Sequence, residues 1–356
     1  MSKTQDRAKG ALIGAFIGEA LGVGPHWYYD LKVLRENYGP WIDDYTKPKQ
    51  GHYHDMLDAG DLSQQGWIVK EMTKYFINYQ GYDKASYTKW MDEDILPYVS
   101  DDALEGVGGY TSQMMRQVYH ARVIQKKSWD NVSSIADTTE SLERNIPTAI
   151  FYADDLSKLS HVIAENTAIT QSDNLTGSLT VAYNLVLALL IQGEPLDDKI
   201  SQKLMRLVYK NKLPFFAVTS ENLGKPLVGR DVVSTEGLFA SPDALLSPSH
   251  MAKTALDPDI QIEPAWKVAT VYGMPCAIYH MLPAAYYLAT RFNNDFESGV
   301  LNAINGGGQN QIRAMLTGAL IGAQVGLSKI PKRFIDGLNE RDELLKLAEQ
   351  LTAHLA

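Results

Sequence analysis

His26-Trp27-Tyr28-Tyr29-Asp30 gathers an imidazole, an indole, two phenols and a carboxylate into one run. An imidazole moves protons in either direction near neutral pH, the rings can stack on a ligand, and Asp30 could orient or charge-pair the histidine. Buried, the same residues would make an aromatic core around a satisfied histidine, and residue types alone leave both readings open. Glu19, upstream, is a second acid that could serve His26. Next comes Gln50-Gly51-His52-Tyr53-His54-Asp55. In an extended loop His52 and His54 would point the same way, which suits one transition metal or a solvated loop. The chain then passes Asp61 and reaches Ser63-Gln64-Gln65-Gly66. Far downstream, Asn305-Gly306-Gly307-Gly308-Gln309-Asn310-Gln311 sets three glycines ahead of a helix. Such a turn could aim free N–H groups at an anion, although it matches no Walker or dinucleotide fingerprint.

The elements that must position these residues are helices. Apolar residues recur at helical spacing in Val69, Met72, Phe76 and Tyr79, in Leu179, Ala182, Val186 and Leu189, and in Leu344, Leu347, Leu351 and Leu355. Period-two strand patterns are scarce, so the fold class is all-α. The last helix is expected to start at Asn339 with Asp342 in its first turn. Gly10-Ala11-Leu12-Ile13-Gly14-Ala15 is repeated as Gly318-Ala319-Leu320-Ile321-Gly322-Ala323. Small residues four apart line one helix face and let two backbones approach, so the two helices are expected side by side at the centre. The stretch 211–264 mixes six prolines with Gly224, Gly229 and Gly237, and reads as a long irregular excursion with short helices, a lid or an interface.

Bulk properties narrow the functions. A net charge of -9 argues against nucleic acid or an anionic membrane as partner, and favours a small molecule. The single Cys276 excludes an internal disulfide framework and a multi-cysteine zinc site, and fits a cytoplasmic location. Glu19 interrupts the apolar run Ala11 to Ile17, which therefore reads as a core helix and not a signal peptide. The apolar stretch Val181 to Ile191 is too short for a membrane span.

Taken together the motifs resemble the ADP-ribosylglycohydrolase (crystallin J1-like) family, which pairs an early Gly-Asp-Ala-Leu-Gly helix with a late Gly-Gly-Asp-Thr-Asp-Thr helix. Gly18 to Gly22 is similar to the first with Glu19 for aspartate, and Gly307 to Ile312 to the second with Gln309 and Gln311 for both aspartates. Ile169-Thr170-Gln171-Ser172-Asp173 looks like the family's Thr-His-Ser-Asp segment, and Ser63-Gln64-Gln65-Gly66 stands where the family has Thr-Asp-Asp-Thr. The resemblance runs over nearly the whole chain. It implies one domain over 1–356 with that family's orthogonal helical bundle. It also implies one cleft between the two Gly/Ala helices, and in family members those aspartates and threonines hold two magnesium ions.

With glutamine at four of these places, no metal or cofactor is carried over, because magnesium wants charged oxygen ligands. The expected function is metal-independent hydrolysis of a glycosidic bond in an ADP-ribosyl, nucleoside or related sugar ligand. His26, standing where relatives place an acid/base glutamate, is the first catalytic candidate, with Asp30, His54 and Asp61 beside it. Glu19, Trp27, Tyr28, Ser63, Gln64, Gln65, Gly307, Gly308, Gln309, Asn310 and Gln311 are the candidate substrate contacts. The rival is a crystallin-like pseudoenzyme that binds or serves a structural role, and a homo-oligomer fits either reading.

Overall fold

Ser2 starts the first helix with a reciprocal cap, its hydroxyl accepting from the Gln5 N–H and the Gln5 side chain accepting from the Ser2 N–H. A computed structural model describes residues 2–216, 239 and 242–355. In chain order its helices are α1 Lys3–Val23, α2 Leu31–Tyr38, α3 Gln64–Tyr79, α4 Lys84–Trp90, α5 Gln113–Tyr119, α6 Glu140–Arg144, α7 Ile146–Phe151, α8 Leu156–Thr170 and α9 Asn174–Gln192. There follow α10 Ile200–Tyr209, α11 Asp243–Leu256, α12 Val268–Tyr272, α13 Ile278–Arg291, α14 Phe296–Ile304, α15 Asn310–Val325, α16 Lys332–Asp336 and α17 Arg341–Thr352. Among the described residues there is no β-strand, only isolated bridges such as that between Tyr28 and Gly308. The all-α expectation is met.

The repeated hexapeptide forms the centre. A methyl group placed on Gly10 would stand 2.2 Å from the Gly322 carbonyl oxygen, on Gly14 2.2 Å from that of Gly318, and on Gly18 2.1 Å from that of Ala314. No side chain survives at such a separation, so glycine is obligatory where the two backbones touch. Partner numbers fall as the first number rises, which makes α1 and α15 antiparallel. Both helices are buried along most of their length, and the Tyr183 hydroxyl of α9 donates to the Leu316 carbonyl at 2.9 Å. α3 lies beside α17, where Lys70 pairs with Glu340 at 2.7 Å, and Lys9 of α1 reaches Glu349 on the same helix.

Three sequence expectations are corrected. α9 runs for 19 residues, long and apolar enough to cross a membrane, and 89% of its most apolar window is packed inside the protein. The last helix starts at Arg341 and not at Asn339, because the Asn339 backbone and amide are engaged with Gly60 and Asp61. The excursion expected over 211–264 contains the 14-residue α11, with Pro248 inside it and Ser249 bonded to Ser201 of α10 at 3.0 Å. Residues 217–238, 240 and 241 of that stretch lie outside the described residues.

Candidate functional site

Antiparallel pairing of α1 and α15 brings the end of one to the start of the other. There the Trp27 N–H donates to the Gly308 carbonyl at 3.0 Å, and the Gly308 N–H to the Tyr28 carbonyl at 2.8 Å. Gly307 and Gly308 sit at φ 67 and 61, the left-handed region that glycine enters without strain. The Gln309 N–H donates to Met274 at 2.8 Å. These N–H groups are spent on the fold, so the anion-cradling reading of the glycine run is withdrawn. Beneath the turn, fully buried Arg313 donates to the Gly307 carbonyl at 2.6 Å and the Ala303 carbonyl at 3.0 Å, and burial lowers its guanidinium to about 9. Asn310 belongs to the same scaffold, its amide donating to Ile304 at 3.2 Å.

The histidines form a buried chain. His26, 1% exposed, has Nδ1 2.8 Å from His54 Nε2 and its Nε2 against the Gln309 amide, while His54 Nδ1 lies 3.0 Å from the Gly108 carbonyl. Burial, then the neighbouring imidazole, holds His26 well below 6.5; burial also lowers His54, to about 4. Two neutral imidazoles carry one N–H each, and the carbonyl of Gly108 must receive the first. His54 therefore accepts from His26 Nδ1–H, and His26 Nε2, left without a proton, faces Gln309 Oε1, so neutral rings complete the chain only if the amide turns its N–H to His26. An aspartate at 309 could not complete this chain. Both His26 ring nitrogens are thus occupied, and the expected free proton shuttle titrating near 6.5 is corrected to a neutral residue that orients Gln309.

His52 and His54 do not form the pair expected of an extended loop. His54 takes φ 64, turning the two imidazoles to different partners, and His52 Nε2 lies 2.7 Å from the His26 carbonyl. Among the described residues no group of three His, Cys, Asp or Glu could hold a metal. Asp30 is exposed and caps α2, accepting from the Lys32 N–H at 2.8 Å, so it does not pair with His26. Asp61 accepts from Asn339 at 2.7 Å and the Asp58 N–H at 2.8 Å, tying a loop to the C-terminal helices away from the histidines.

Glu19 faces Ser63 and not His26. Its Oε1 accepts from the Ser63 N–H at 3.0 Å, the Ser63 hydroxyl at 2.5 Å, the Gly66 N–H at 3.3 Å and the Gln311 amide at 3.1 Å. Full burial nevertheless raises its carboxyl to about 7. Gln64 accepts from the Ser112 N–H at 2.9 Å and donates to the Thr111 hydroxyl at 3.3 Å, fastening the opposite wall.

Between these walls lies a cavity of about 90 Å³, reached by Trp27, Gln65 and Gln309 from the predicted set. Its remaining lining includes Tyr110, Arg116, Thr138, Glu140, Glu143 and Cys276, which sequence reasoning missed. Trp27 stacks on His26 with ring centres 4.0 Å apart and meets Tyr110 edge-on at 4.6 Å. Tyr28, expected to stack on ligand, instead packs on His52 at 4.3 Å. The larger hollows, about 500 Å³ beside Asp336–Glu343 and about 430 Å³ between α10 and α11, share no lining residue with this cavity.

Gln171 explains how the two glutamates enter the cavity. Its amide donates to the carbonyls of Ala136 and Thr138 at 2.8 and 2.9 Å and accepts from the Ser141 N–H at 2.9 Å, bending the chain into α6. Glu140 and Glu143 then share one face of that helix, i and i+3 apart. Glu140 accepts from the Thr138 hydroxyl and the Met114 N–H, whereas Glu143 Oε2 is buried without a hydrogen-bond partner. Burial, then the charge of Glu140, pushes the Glu143 carboxyl well above the usual carboxylate range. The only signal in the sequence was an i, i+3 glutamate pair running into the apolar Ile146 to Phe151.

A family model described as ADP-ribosylglycohydrolase matches residues 1–356. Crystallin J1A of Tripedalia cystophora is 22% identical, over 98% of this chain and 97% of that protein. An uncharacterized protein of Archaeoglobus fulgidus is 20% identical, over 98% of this chain and 96% of its own length. A solved structure of an ADP-ribosylglycohydrolase-related protein complex shares the fold, with TM-score 0.60 at 18% identity over 99% of each chain.

Proposed function

This chain belongs to the ADP-ribosylglycohydrolase family, and from that premise we propose that it hydrolyses a glycosidic bond of a sugar- or nucleotide-like small molecule without magnesium. The observation that carries the reading is the cavity where the two Gly/Ala helices end, lined by amides, aromatic rings and two buried glutamates. At about 90 Å³ the cavity is well below the ~300–1,000 Å³ of an ordinary ligand pocket, so it admits only the reacting part of a ligand. The remainder would lie across Trp27 and Tyr110 at the mouth, with the Gln309 amide, one atom of which meets His26, offering its other atom to a sugar hydroxyl.

The residues present do not fit two magnesium ions. Gln64, Gln65, Gln309 and Gln311 supply no charge. Gln311 directs an N–H at Glu19, and Gln64 is spent on Thr111 and Ser112. A hard divalent pair needs anionic oxygens at these places. Calorimetric titration should accordingly show no magnesium binding below the millimolar range, and two tightly held ions would overturn this assignment.

A second reading, an inactive binding protein, is favoured by the narrowness of the cavity and the internal satisfaction of its histidines. The test is incubation with ADP-ribosyl-arginine, nicotinamide riboside and adenosine in the presence of a chelator, with released base or sugar separated by chromatography. Release supports hydrolysis. Bound ligand in a soaked crystal without release supports the binding reading, and neither result would end both.

A further inference from the structure

We propose that Glu143 is the proton donor and acceptor of this cavity, with its unpartnered Oε2 meeting the leaving atom of the ligand and Glu140 acting as its positioning neighbour. The inference rests on the hydrolytic reading above. It stands first on geometry: Glu143 is 2% exposed, lines both the main cavity and the smaller hollow continuous with Gln65, Glu140 and Arg144, and has an oxygen that nothing in the protein satisfies. A buried polar atom without a partner is costly, and a ligand that reached this one past the cavity wall would complete it. His26 has no such vacancy.

The groups facing Glu143 bear on its proton. Glu140 lies beside it on α6, and Glu19 of α1 is near enough to add to the same negative field. The Thr139 hydroxyl and the Arg144 guanidinium act in the other direction. Arg144 donates through Nη2 to Asn166 at 3.0 Å and Thr170 at 2.8 Å on α8, while its Nε and Nη1 have no hydrogen-bond partner. Tyr183 and Cys276 complete the surroundings as neutral groups, both held above their ordinary values chiefly by burial. Desolvation and Glu140 prevail, so the Glu143 carboxyl is held well above the usual carboxylate range.

In the step this implies, the Glu143 carboxyl gives its proton to the leaving nitrogen or oxygen as the glycosidic bond breaks, its electron pair departing with that atom. The Glu140 carboxylate offsets the positive charge that develops on the sugar carbon. Water then adds to that carbon and surrenders a proton to the Glu143 carboxylate, which restores the starting state with no metal or oxidant.

Two arms test it. Infrared spectroscopy of the whole protein at neutral pH should show a buried carboxylic-acid carbonyl band that Glu143→Gln removes, whatever the substrate. On a substrate that the wild type turns over, Glu143→Gln should lower kcat by about 10²–10⁴-fold with an unchanged circular dichroism spectrum. Glu140→Gln should move the alkaline limb of the pH–rate profile to lower pH, a shift that a purely structural role would not produce. An unaltered infrared band in Glu143→Gln, or full turnover by it, overturns the assignment and leaves hydrolysis intact. A wild type that cleaves no substrate in the panel removes the hydrolytic reading and this role with it.

Discussion

Glu19→Gln removes a buried ionisable group while keeping its shape, and the change in stability with pH should report that group alone. Burial raises the Glu19 carboxyl from 4.5 to about 7, outweighing the hydrogen bonds from Ser63 and Gly66 that act to lower it. Between those values the unfolded chain is ionised at this position while the folded chain still holds the proton. Stability is therefore unaffected below the unfolded value and is lost as pH climbs from 4.5 through 7. At roughly 1.4 kcal/mol per pH unit the loss amounts to about 3 kcal/mol by pH ~8. The wild-type curve alone masks it, because His54 works in the opposite sense: it is lowered from 6.5 to about 4, so its contribution is lost as pH falls through that window. The difference between variant and wild type cancels the histidine. Urea unfolding of both proteins at intervals between pH ~4 and ~8 should show the advantage of Glu19→Gln growing by about 3 kcal/mol toward alkaline pH. The glutamine keeps an acceptor for Ser63 and brings an N–H within reach of Gln311, whose Oε1 has no partner. A difference that stays flat, or shrinks with pH, would refute the claim that Glu19 is protonated in the fold near neutrality.

Two further outcomes follow from the helices and the histidine chain. Gly14→Ala should lower stability by at least about 2 kcal/mol in chemical denaturation, since overpacking costs ~1–3 kcal/mol and occasionally more, helix propensity returns at most ~1, and the new methyl would stand 2.2 Å from the Gly318 backbone oxygen, which cannot swing aside. A variant as stable as the wild type would show that the two helices are not in contact there. Gln309→Glu sets a carboxylate where Gln309 Oε1 meets His26 Nε2, which favours the imidazolium, so the His26 titration followed by NMR should move upward. An unmoved titration would show that residue 309 does not meet His26.

The pairing of α1 with α15 was legible because steric exclusion is written directly into residue identity. Glycine at every fourth place in two copies of one hexapeptide names both surfaces of a contact. From that pairing the meeting of His26 with Gln309 and of Glu19 with Gln311 follows, although the partners are nearly three hundred residues apart. The roles were less legible. The sequence could not say that His26 would have both nitrogens occupied, because the second partner, His54, depends on a left-handed backbone angle at a residue that is not glycine. Glu140 and Glu143 escaped for a related reason: glutamate is ordinarily a solvated helix residue, and the bend that carries them inward is held by Gln171, an amide just beyond the end of α8. Asp30 and Asp61 misled in the converse way, since acids near the motif in sequence were taken up by a helix cap and a loop tie.

The glycine contacts between α1 and α15 also decide which side of the cavity can yield. Their surfaces meet backbone to backbone, with no side chains that could swing aside, so the pair behaves as the fixed jaw of a vice. The facing jaw is built differently. Gly106, Gly108 and Gly109 take positive φ angles in a short turn, and that turn is secured by polar contacts of Gln64 with Thr111 and Ser112 and of His54 with Gly108. The Gly108 carbonyl, His54, His26 and Gln309 form one chain of contacts from that turn to the cavity wall, so a displacement of the turn would pull on the Gln309 amide.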